Sequence, residues 1–69
     1  DMEGRIMATA VLDVMNDDGG GFALYRVTVT GAGAAAGKTK VYEVRDTTQD
    51  NAAMGAIATF TEEVENGTL

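Results

Sequence analysis

Sixty-nine residues, with eleven Asp and Glu against five Lys and Arg and a formal charge of −6, make one small acidic domain spanning residues 1–69. That balance repels phosphate backbones and anionic lipid surfaces, so direct nucleic-acid or membrane binding is not expected. With no Cys, His or Ser, the chain lacks disulfides, the usual structural zinc ligands and the commonest catalytic bases and nucleophiles, so neither an enzyme nor a cofactor is expected.

A chain this short and without staples must pack very regularly or borrow surface from a partner. No apolar run approaches the roughly 20 residues of a membrane span, and none resembles a signal peptide, so the cytoplasm is the expected compartment. Met7 is a candidate natural start. Asp1 to Ile6 would then be vector-derived, with Glu3-Gly4-Arg5 resembling a protease-site scar.

Residues 6 to 16 carry two periodicities. Ile6, Met7, Ala10, Val11, Val14 and Met15 have helical spacing, whereas Ala8, Ala10, Leu12 and Val14 form a strand face. The β-branched Thr9, Val11 and Val14 favour the strand. So does the following Asn16-Asp17-Asp18-Gly19-Gly20-Gly21, whose Asp-Gly step supplies the positive φ of a hairpin turn.

Phe22 to Thr30 reads as a second strand, dense in aromatic and β-branched residues. Tyr25, Val27 and Val29 lie on its expected inner face, with Leu24, Arg26, Thr28 and Thr30 on the other. Gly31 to Gly37 has three Gly and no large side chain, which predicts a flexible, dispensable hairpin loop that packs no core. Val41 to Arg45 alternates as a third strand, with Tyr42 and Val44 on one face.

From Asn51 the period becomes helical. Ala53, Ile57, Phe60 and Val64 recur at i, i+4, i+7 and i+11, the spacing of one apolar stripe. A Thr within Asp46 to Asp50 suits the N-cap, and Asn66-Gly67 suits an αL stop. Ala52, Gly55, Ala56 and Thr59 add a strip of small residues, expected to pack on the chain's own sheet rather than on a second helix. The predicted architecture is α+β: a three-stranded antiparallel β-meander packed against one C-terminal α-helix, β-β-β-α. The alternative is α-β-β-α. Phe60 and Ile57 should centre the core against Tyr25, Val27, Tyr42 and Val44.

Two motifs point to ligands and are outweighed by their context. Ala32 to Thr39 matches a relaxed phosphate-loop pattern ending in Gly37-Lys38-Thr39, but phosphate binding needs a helix to begin there and Lys40 to Val44 reads as strand. Nucleotide binding is therefore the last-ranked function. Asp13, Asn16, Asp17 and Asp18 lack the spacing and the bidentate Glu of a calcium loop, so no metal is expected.

The leading expectation is a small non-enzymatic protein–protein interaction module. Its sharper form is a phage- or bacterium-encoded inhibitor presenting an acidic surface to a basic protein. A structural or self-assembling subunit, such as a virion-associated protein, is the alternative. Candidate partner-binding residues are Val11, Asp13 and Met15 on the first strand, and Glu62, Glu63 and Glu65 at the helix end. In a meander the first strand is an edge without Lys or Pro to guard it, and apolar residues lie on both its faces. That predicts a homodimer through this strand.

Overall fold

The computed structural model describes residues 6–69. The segment expected to be vector-derived lies, except for Ile6, outside the described residues. Strands β1 (Ile6–Asp17), β2 (Ala23–Gly33) and β3 (Thr39–Asp46) are followed by helix α1 (Gln49–Glu65). They form one antiparallel sheet in the order β1-β2-β3, so the architecture is the expected β-β-β-α meander. The first segment is strand, not helix. Every residue from Ile6 to Val14 has a partner on β2, from Ile6 opposite Gly33 to Val14 opposite Tyr25. The register then slips between Val14 and Asn16, leaving Met15 as the extra residue of a bulge.

Both turns obtain positive φ from glycine. Between β1 and β2, Gly19 and Gly21 adopt φ of 75° and 87°. The Asp17 and Asp18 carboxylates each accept a backbone N–H two residues on, from Gly19 and Gly20, both at 2.9 Å.

The connection between β2 and β3 overturns the expectation of a loose loop. β2 continues to Gly33, and the Lys38 and Ala36 N–H groups bond back to Ala35 and Gly33 carbonyls at 3.1 Å. Ala35 is fully buried and belongs to the core. Gly31 faces it so closely that a Cβ there would lie 2.8 Å from the Ala35 Cβ. The loop packs through backbone approach and one methyl, which a reading that looked for large side chains missed.

Phe60, Val27 and Val29 are the largest fully buried side chains, joined by Tyr25, Ala23, Ala52 and Ala56. The inner face of β2 is therefore the one expected. Tyr42, Val44, Ile57 and Val64 pack around this centre half-buried.

The helix is rolled relative to the expected stripe. Its deepest line is Ala52, Ala56 and Phe60, while Ala53 and Ile57 lie on the flank. Two causes act together. The alanines let the helix backbone settle close to the sheet. Glu63, on the same helical line as Ala52 and Ala56, is drawn to β3 by Lys40 and Tyr42.

The helix ends follow the expected caps. The Thr48 hydroxyl accepts the Asn51 N–H at 3.1 Å. Beyond Asn66, Gly67 takes φ 74°, and the Gly67 and Thr68 N–H groups donate to Val64 and Glu63 carbonyls at 3.1 and 2.9 Å, a Schellman closure.

Candidate interaction surface

Alternation along β1 sends Ala8, Ala10, Leu12 and Val14 towards α1, and Thr9, Val11 and Asp13 to the face the helix leaves open. The strand register extends that open face in rows. Val11 aligns with Thr28 and Val41, Thr9 with Thr30 and Thr39, and Asp13 with Arg26 and Glu43. The last row sets one cation between two acids, the favourable order for cross-strand neighbours. The first row is apolar at both ends: Val11 is 70% exposed and Val41 is 50% exposed.

β1 pairs only with β2, so among the described residues nothing hydrogen-bonds its far edge. The apolar side chains beside that edge are uncovered. Val14, on the helix side, is 55% exposed, and Met15 is exposed at the bulge. Of the candidate residues, Val11, Asp13 and Met15 thus come together along one edge. Val14 belongs with them; the sequence places it on an apolar face of this edge strand without singling it out as a candidate.

The opposite edge differs in chemistry. β3 and its approach carry Lys38, Lys40, Glu43, Arg45 and Asp46 in nine residues. Arg45 forms an ion pair with Asp18 and lies 5.6 Å from the centre of the Phe22 ring, tying β3 to the β1–β2 turn. Such charges guard an edge against further strands.

The three helix-end acids do not act as one patch. Glu63 points inward, with its Oε2 2.8 Å from the Lys40 ammonium while its Oε1 accepts the Tyr42 hydroxyl. The hydrogen bonds from Lys40, and secondly from Tyr42, hold the Glu63 carboxyl below the usual carboxylate range. Burial, reinforced by the Glu63 hydrogen bond, pushes the Tyr42 hydroxyl above the usual phenol range. Glu62 and Glu65 remain in solvent. This cluster clamps the helix end to the sheet.

The Gly37-Lys38-Thr39 segment runs directly into β3, and the Lys38 ammonium donates to the Leu69 carbonyl at 3.3 Å. Among the described residues no cavity is found, and no three His, Cys, Asp or Glu side chains are grouped to hold a metal. No helix among them is long and apolar enough to cross a membrane. Comparison with protein-family models, curated proteins and solved structures found no match.

Proposed function

We propose that this chain is a non-enzymatic protein-interaction module of the cytoplasm that works by lending the β1 edge of its sheet, with a second copy of itself as its first partner. The observation that carries the reading is the unguarded edge. It offers a long row of backbone groups flanked by exposed Val11, Val14 and Met15, with neither Lys nor Pro in the strand. Adding a strand there satisfies backbone donors and acceptors and removes apolar surface from water in the same step. The charged β3 edge favours closure at two subunits over an open-ended sheet.

Sedimentation at hundreds of micromolar tests this. Twice the chain mass is expected, and Val11→Lys should return the protein to single-chain mass. Because Val11 lies on the open face, that variant should keep the wild-type circular dichroism spectrum and, at dilutions where the wild type is itself monomeric, the same thermal midpoint. A wild-type monomer at that concentration would refute self-association.

A basic protein bound by the acidic surface is the second reading. It draws on the net charge of −6 and on exposed Glu62 and Glu65. An inhibitor that takes the place of nucleic acid on such a protein would be its sharper form.

A further inference from the structure

Resting on the reading of β1 as the interaction edge, we propose that two copies pair antiparallel about a two-fold axis through Val11. Ala8 would then lie opposite Val14, Thr9 opposite Asp13, and Ala10 opposite Leu12 of the second copy. The observations behind this register are the alternation of β1, its bulge at Met15 and the placement of Asp13, the one charge that β1 carries before that bulge.

A two-fold axis normal to the sheet keeps both helices on the same side. Each β1 residue must therefore oppose one from the same face, and the axis must pass through a residue rather than between two. The bulge ends regular pairing at Val14 and bends the strand beyond it, which leaves a handful of possible centres.

Asp13 separates them. An axis through Asp13 sets two carboxylates face to face, which is repulsive. An axis through Leu12 sets Asp13 opposite Val11, and one through Ala10 sets it opposite Met7, so a carboxylate loses water without gaining a donor. Among the axes that keep Asp13 opposite a described residue of the second copy, only the one through Val11 gives it a hydroxyl, that of Thr9, on the open face.

Side-chain volume selects the same centre independently. About Val11, each of the two inner-face pairings sets an alanine against a larger residue, Val14 or Leu12. About Ala10, two alanines meet and leave a gap at the axis. About Leu12, two leucines crowd the axis instead. Small-against-large pairing fills the space beside the edge without voids or clashes.

Stable interfaces of about 1,600 Å² use roughly 20–30 residues a side, so the seven residues 8–14 of each copy make a smaller contact, below the usual floor of about 1,200 Å². The dimer is therefore expected to be a weak one that forms only at high protein concentration.

The chain has no cysteine, so each introduced thiol is unique. Directly opposed residues have Cβ atoms about 4.5–5.5 Å apart, close to what a disulfide spans, whereas residues four positions out of register are about 13 Å apart. Under mild oxidation at several hundred micromolar, Val11→Cys should give mostly covalent dimer. Thr9→Cys alone and Asp13→Cys alone should cross-link at least five-fold more slowly, while an equimolar mixture of these two should form the mixed disulfide.

Faster cross-linking of Thr9→Cys or Asp13→Cys alone than of Val11→Cys would overturn the register while leaving the edge as the interface. Equal rates for all three single variants would also overturn it, because they would report random collision. A monomeric wild type would remove the edge reading and the register together.

Discussion

At the residue scale, Glu63 has the most consequential placement. The sequence offers it as one of three exposed acids at a helix end that disfavours negative charge. The structure turns it inward onto Lys40 and Tyr42, and its neighbours Glu62 and Glu65 do not follow. Its carboxyl is held below an ordinary value near 4.5, so its stabilising contribution is present above that pH and lost as pH falls through the lower folded value. Tyr42 has the opposite sign. Its hydroxyl titrates above the ordinary 10.0, so that contribution is present below pH 10 and lost as pH rises through the folded value. Thermal midpoints measured from pH 2 to 12 should therefore fall at both ends. Glu63→Gln should lower the plateau and flatten both limbs, because it removes the titrating carboxylate and the charge beside the Tyr42 hydroxyl. Asp18 and Asp46 should keep part of the acid limb in the variant, since the Gly20 and Thr47 backbone N–H groups respectively hold them below the usual range. Unchanged limbs in Glu63→Gln would mean the clamp contributes nothing in solution.

At the scale of elements, the roll of α1 makes a sharp prediction. Ala56 is 1% exposed against the sheet, whereas Ala53 is only half-buried on the flank. Ala56→Leu should cost about 1–3 kcal/mol, the usual penalty for overfilling a packed site, visible as a lower urea midpoint. Ala53→Leu should be close to neutral, because its extra methylenes have solvent to extend into. The reverse order would restore the stripe read from spacing alone. That spacing placed Phe60 in the core correctly but also centred Ile57, which is half-buried on the flank with Val64 beside it, and it marked Ala52 and Ala56 as a close-packing strip. It did not make that strip the centre. A helical pattern fixes which residues share a line, while the roll about the axis is decided by what each line meets. Here one line meets Lys40 and Tyr42 of β3.

At the scale of the whole molecule, net charge separates the two proposed partners. Two copies of a chain with charge −6 repel, and salt screens that repulsion over a Debye length that falls from about 30 Å at 0.01 M to about 10 Å at 0.1 M. Raising NaCl from about 10 mM to 300 mM should therefore tighten the homodimer several-fold in sedimentation equilibrium. A complex with a basic protein should weaken over the same range, because its attraction is what salt screens. Self-association that weakened with salt would argue that the contact runs through charges rather than through the β1 edge.

Local chemistry was enough to specify the second and third strands, a Thr cap before the helix and the Gly67 stop, and to favour a first strand with its Asp-Gly turn over a helix. Each depends on side-chain alternation or on a conformation that few residue types accept. The same alternation identified Val11, Asp13 and Met15 along one edge. Three features were decided only when distant segments met. Ala35 is buried because Gly31, four residues back, leaves room for it. Val14 is exposed although it lies on the inner face, because α1 leaves that end of β1 uncovered. Glu63 is withdrawn from the surface by two residues of β3, more than twenty positions earlier in the chain. Burial and ion pairing are properties of what lies opposite a residue, and in this fold the opposing groups come from a different strand, turn or helix.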